Sequence, residues 1–116
     1  LYVLCAYDSQ DENDIISVFE RIKIIMKYGC LPYIMRYELY KISRFKSLYI
    51  QIARWCNQPR FFKKTSFNEF CYANQDYHKT KDTICSSLKA LLDFQKEFPD
   101  IAYKYFNLKY EKEKMY

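Results

Sequence analysis

Residues 1–37, LYVLCAYDSQDENDIISVFERIKIIMKYGCLPYIMRY, restrict the fold most, because they read as strand, helix, strand. Residues 1–7 and 30–37 are apolar runs without clean alternation, the pattern of strands covered on both faces. Between them Ile15, Val18, Phe19, Ile22, Ile25 and Met26 recur at helical spacing, while Glu20, Arg21, Lys23 and Lys27 fall mostly elsewhere on the wheel. Asp11 before Asp14 gives the helix an acidic start, and Asp11 and Glu12 suit the positive end of its dipole. Gly29, the only glycine, stands where a left-handed cap is wanted. A crossover of this length joins parallel strands, almost always with right-handed connection. Two parallel strands cannot bury both faces by themselves, so the segment calls for further sheet.

The chain opens on Leu1 and enters this strand at once, which reads as a piece of a longer protein; a trimmed small domain is the alternative. Its 116 residues suit one core, and a hydrophobic fraction of 50% excludes wholesale disorder. No stretch resembles a signal peptide, and no apolar run approaches the roughly 20 residues of a membrane span, so the expected location is the cytoplasm. Cys5, Cys30, Cys56, Cys71 and Cys85 are odd in number and never in CxxC spacing, which points to reduced, packed thiols and not to a disulfide frame or metal site.

From Arg36 onward the chain turns basic. Arg36, Lys41, Arg44, Lys46, Arg54, Arg60, Lys63 and Lys64 face one acid, Glu38, over residues 36–64, although the whole chain carries only +5. Residues 38–46 read as an irregular loop, and 47–57 as a helix with Leu48, Ile52 and Trp55 or Cys56 inward, ended by Asn57, Gln58 and Pro59. Residues 60–64 fit a short strand or an extended connector. Ser66 with Glu69 is a capping box for a helix to about residue 73, with Phe67 and Phe70 inward. A polar connector at 74–80 leads to an amphipathic helix over 82–98 with Ile84, Leu88, Leu91, Leu92 and Phe98 on one side. Pro99 separates it from a last helix at 100–112, lined by Ile101, Tyr105 and Leu108, and the tail after it should fray. The expected organisation is an α/β part at 1–78 and a helical hairpin extension at 79–116.

In parallel α/β sheets ligands bind at the C-terminal strand ends. Here those ends are Tyr7, Asp8 and Ser9, then Met35, Arg36 and Tyr37. Asp8 and Arg36 can pair there, or can accept from a ribose hydroxyl and neutralise a carboxylate or phosphate. In the structural alternative Asp8 only starts the helix turn and Arg36 is a solvated strand end. Arg54, Trp55, Cys56 and Asn57 are the densest chemical cluster: Arg54 as an anion contact and Asn57 as a hydrogen bonder, or Trp55 as a core anchor and Asn57 as a helix cap. Cys56, near a helix C-terminus, lacks what lowers a thiol pKa. His78 is the only histidine and has no orienting neighbour in sequence, which argues against catalysis or metal binding. One glycine excludes phosphate-cradling glycine loops within this chain.

The succession AYD, acidic turn, amphipathic helix ending in YG, LPYIMRYE, ARWCNQP and FFKKTSFNEF is similar to the C-terminal portion of radical S-adenosylmethionine proteins, in particular variants from phages and mobile elements. The resemblance covers residues 1–75. It implies a fragment of a parallel (β/α) partial barrel with a C-terminal helical hairpin, completing a cofactor and substrate mouth but inactive alone. Asp8, Arg36 and Tyr37 would lie toward cofactor, and Arg54, Asn57, Lys63 and Lys64 toward substrate or an anion. The family's CxxxCxxC motif is absent, so the 4Fe–4S cluster and S-adenosylmethionine would belong to a missing N-terminal part of the same protein, the chief partner. A rival reading is a small basic nucleic-acid module, with Arg44, Lys46, Arg60, Lys63 and Lys64 on phosphates and Tyr40, Phe45 or Phe61 against bases. A third is purely structural, with the fragment closing a barrel edge and the helical hairpin holding a partner or another copy.

Overall fold

Strand β1 (Tyr2–Cys5) and strand β2 (Tyr33–Arg36) pair in parallel, Tyr2 opposite Tyr33 and Cys5 opposite Arg36, across helix α1 (Glu12–Lys27). In the computed structural model, which describes residues 1–78 and 82–110, a 3-10 turn (Glu38–Ile42) follows. Then come α2 (Lys46–Cys56), α3 (Pro59–Phe62), α4 (Phe67–Asp76), α5 (Ser86–Glu97) and α6 (Pro99–Tyr105). The molecule is thus mainly helical, with a two-stranded parallel sheet and, among the described residues, no further strand of the kind a barrel wall needs.

Helix α1 forms where its periodicity places it. The Asp11 carboxylate accepts from Asn13 N–H at 3.0 Å, Glu12 and Asp14 occupy the first turn, and Gly29 turns the chain out at φ 69°. The sheet corrects one expectation. Its strands alternate buried and exposed instead of being covered twice: Val3, Cys5 and Ile34 lie under α1 and α2, while the other face stays bare. On that bare face Tyr2, Leu4, Tyr33 and Met35 are 77, 41, 51 and 46% exposed. Apolar runs cannot reveal this, because sequence carries no record of which face a helix covers.

The helical part differs from the sequence reading in its boundaries. Residues 38–42 are a 3-10 turn within the expected loop, and 59–62 form a helical turn where a strand or extended connector was expected, because Pro59 at its first turn presets a helical φ. Helix α4 runs on to Asp76, and α5 starts only at Ser86, leaving Ile84 exposed and not on the inner face. Helix α6 stops at Tyr105, well short of residue 112. The expected connector at 79–80, the last helix beyond 110 and the fraying tail fall partly outside the described residues.

Helices α5 and α6 meet at Phe98–Pro99 and pack on each other as a hairpin, and they share one hydrophobic cluster with α1, α2 and α4. Phe19 sits at its centre, with ring centroids 5.1 Å from Phe106, 6.1 Å from Phe67 and 6.2 Å from Trp55. Trp55 satisfies its indole N–H on Thr65 O at 2.9 Å. The Ser66–Glu69 capping box is present in both directions. No described helix is long and apolar enough to cross a membrane.

Candidate functional site

The C-terminal ends of β1 and β2 are built around a buried carboxylate. Asp14 falls on the apolar stripe of α1 and is almost completely buried. It accepts from Ala6 N–H at 2.7 Å and from the Tyr49 hydroxyl at 2.6 Å, which ties the end of β1 to α1 and α2. Ala6 is held at φ 63°, a left-handed conformation costing a residue with a Cβ roughly 1 kcal/mol. Gln10 Nε2 donates to Ala6 O at 2.9 Å, so the turn leaving β1 is fixed from both sides. Burial, with the Asp14 carboxylate nearby, pushes the Cys5 thiol up to about 12. Burial also raises the Tyr49 hydroxyl, reinforced by its bond to Asp14, so this phenol stays a donor at neutral pH.

Above this platform the strand ends carry aromatic side chains. Tyr7 meets Tyr37 edge to face at 4.9 Å. Arg36 lies with its guanidinium 4.7 Å above the Tyr40 ring. Asp8 is exposed, and among the described residues no ion pair joins it to Arg36. The three residues expected toward cofactor therefore share one end of the sheet without converging on one point.

The other expected contacts lie elsewhere. Arg54 donates to Gln51 Oε1 at 2.7 Å and to Ser87 Oγ at 3.3 Å; Ser87 in turn donates to Gln51 and accepts from Asn74. This knot joins α2, α4 and α5 through two buried polar residues, Gln51 and Ser87. Asn57 is the C-cap residue of α2, its N–H donating to Ala53 O at 2.9 Å, while its side chain turns to the sheet: its Oδ1 accepts from Ile34 N–H at 2.7 Å and its Nδ2 donates to Ile34 O at 3.1 Å. The amide side chain stands where a neighbouring strand would stand on β2. Lys63 and Lys64 are exposed beyond α3.

Arg54, Asn74, Tyr77, His78, Ser86 and Ser87 line a cavity of about 510 Å³, and Arg60, Phe61, Lys64 and Tyr77 line an adjoining one of about 410 Å³. Among the described residues no carboxylate lines either. His78 Nε2 lies 3.0 Å from Thr83 Oγ1. Cys56 is fully enclosed and burial raises its pKa, as it does for Cys71, so both are packed thiols. Among the described residues no group of three or more His, Cys, Asp or Glu can hold a metal.

Asp14, Tyr49 and Gln51 are the structural residues that sequence reading missed as a set. Two of them carried a mark: Asp14 interrupts the apolar stripe of α1, and Gln51 that of α2, and a polar residue on an inward face must find partners inside. Searches of protein-family models, curated proteins and solved structures find no match to this chain.

Proposed function

We propose that this chain is the C-terminal part of a radical S-adenosylmethionine-like iron–sulfur protein, where it completes a parallel (β/α) partial barrel and its cofactor and substrate mouth, and that it is inactive alone. The observation that carries this reading is the one-sided sheet. Two parallel strands packed under helices on one face, and bare and apolar on the other, are what the wall of a barrel looks like when its remaining strands belong to another segment. The strand ends bearing Tyr7, Asp8, Arg36 and Tyr37 are the side on which such sheets bind ligands.

The chain's own thiols do not fit a cluster. Four of the five cysteines are buried and Cys30 is exposed, and among the described residues no group of three or more His, Cys, Asp or Glu can hold a metal. In this reading the cluster is held by the N-terminal part, and the present residues contribute one wall, the strand-end aromatic pair and the exclusion of solvent. Reconstitution with iron and sulfide should leave this chain colourless; a stable brown protein would refute the assignment. The coding sequence upstream of Leu1 should contain a CxxxCxxC motif, and its absence there would end the radical S-adenosylmethionine reading.

A second reading has its own support in the adjoining cavities. Arg54 and Lys64 with Arg60 line these cavities beside Tyr77, which is 87% exposed, and among the described residues no acid lines them. Cations beside an exposed ring suit single-stranded nucleic acid. The segment first suspected of this role is partly committed elsewhere, since Arg44 is paired with Glu97 at 2.8 Å and Phe45 is buried against Phe94. Binding to single-stranded RNA or DNA at two salt concentrations, with a steep loss on raising salt and a further loss in Tyr77→Ala, would favour it over the first.

A further inference from the structure

Arg54 is held in place without being neutralised. Its Nη1 donates to Gln51 Oε1 at 2.7 Å and to Ser87 Oγ at 3.3 Å, and both acceptors belong to uncharged side chains of residues only 4 and 1% exposed. Those acceptors do not need it. Ser87 Oγ donates to Gln51 Oε1 at 2.7 Å and accepts from Asn74 Nδ2 at 3.0 Å, so the buried pair is satisfied without the arginine. Arg54 is therefore a surplus donor that this knot positions, with the Phe70 ring 5.7 Å from its guanidinium as a further support. Among the described residues no carboxylate pairs with it, whereas Arg44 has Glu97 at 2.8 Å. A fixed guanidinium that keeps its whole charge, with Nε and Nη2 lacking a described partner, is set to receive an anion from outside.

The bond to Ser87 places that guanidinium at the start of α5. Ser86 and Ser87 open the helix, and the N–H groups of a first turn have no partner within it. Cys85 at the cap position supplies no side-chain acceptor, and the first turn contains no acid. Arg54, Asn74, Ser86 and Ser87 line the same cavity of about 510 Å³. Donors thus come from three elements: the guanidinium from α2, the first-turn N–H groups from α5, and from α4 the Asn74 N–H that its bond to Ser87 does not use. An oxyanion with three or more terminal oxygens can accept from three elements at once. A carboxylate, with two oxygens in one plane, cannot do so as well.

We infer that Arg54, Asn74 and the start of α5 form a binding site for a phosphate group. The site deepens the nucleic-acid reading of these cavities, since Arg60 and Lys64 line the adjoining one and Tyr77 borders both. It rests on that reading for the source of the phosphate, and it is independent of the barrel assignment.

Titration of this chain with inorganic phosphate, followed by NMR at constant ionic strength beside chloride and acetate, tests the site. The Ser86, Ser87 and Leu88 amides and the Arg54 guanidinium should shift saturably with phosphate and not with the other two. Arg54→Gln should weaken phosphate binding about tenfold or more and leave the chain folded, because the buried pair keeps its other bonds. Ser86→Asp is the sharper variant. An acid in the first turn suits the helix, so the melting temperature should hold or rise, while its charge takes the place of the ligand and binding should again fall about tenfold or more. Shifts that do not saturate, that acetate reproduces, that survive Ser86→Asp, or that are confined to Lys63 and Lys64 would overturn the inference. A second titration uses single-stranded oligo-dT. If its binding weakens in Arg54→Gln in step with phosphate, the site serves nucleic acid. Phosphate binding without oligo-dT binding keeps the site and ends the nucleic-acid reading. Oligo-dT binding that neither variant changes keeps that reading and overturns the site.

Discussion

The aromatic interior of the helices and the bare face of the sheet are made of similar residues and have opposite fates. Phe19, Trp55, Phe62, Phe67, Phe94 and Phe106 are enclosed and in contact ring to ring. Tyr2 and Tyr33 also touch, edge to face at 5.9 Å, yet both stand in solvent. The helices close on one another because each has a single apolar stripe and a neighbour to bury it. A strand has two faces, and here helices serve one. Hydrophobic residues therefore mark burial only where the backbone places something opposite them; where it does not, they mark surface that suits a partner.

Substitutions should separate the two regions by the size of their effect on unfolding by urea or heat. Trp55→Ala removes the largest enclosed ring and its bond to Thr65, and should cost about 3–5 kcal/mol. An effect under about 1 kcal/mol would mean that the helical interior is not closed. Asp14→Ala leaves the Ala6 N–H and the Tyr49 hydroxyl without their acceptor, for a loss near 3 kcal/mol, and should loosen the exit of β1 as seen by exchange of the Ala6 amide. Asn57→Ala exposes the Ile34 groups and should cost about 2 kcal/mol. It should also increase self-association measured by light scattering, because a second edge is then open.

Ser66→Ala breaks the α4 capping box for about 1 kcal/mol. The same box has a pH signature. Glu69 is held below the ordinary carboxylate range chiefly by the Ser66 backbone N–H it accepts, and secondarily by Lys109. A carboxylate with a lowered folded pKa adds stability above its unfolded value and loses it as pH falls through the folded one. An acid titration should therefore show a small loss of stability below pH of about 4 that is absent in Glu69→Gln. It is small because the side chain is 52% exposed. At the bottom of the scale, Tyr2→Thr and Met35→Thr on the bare face should change stability by less than about 0.5 kcal/mol. A large loss from either would show that the face is covered in the chain alone.

Much of the local structure was legible in residues. The stripe from Ile15 to Met26, the cap at Asp11, the left-handed Gly29 and the Ser66–Glu69 box each depend on chemistry within a few positions of chain, and each is found as read. The extents of α5 and α6 were less legible, since an apolar residue such as Ile84 fits a helical pattern without belonging to the helix. The candidate site was legible only as positions. Sequence order brings Asp8, Arg36 and Tyr37 to one end of two parallel strands, but the turn of Arg36 onto Tyr40 and of Tyr37 toward Tyr7 depends on neighbours from other segments.

What the sequence determined by itself is the parallel crossover: a helix of this length between two apolar runs has few other ways to fold. What only the tertiary structure decided is which face and which edge of that sheet are finished. Asn57 stands 23 residues from Ile34 and Tyr49 stands 35 from Asp14. Contacts at such separation depend on how α2 lies across the sheet, and no local pattern encodes that placement.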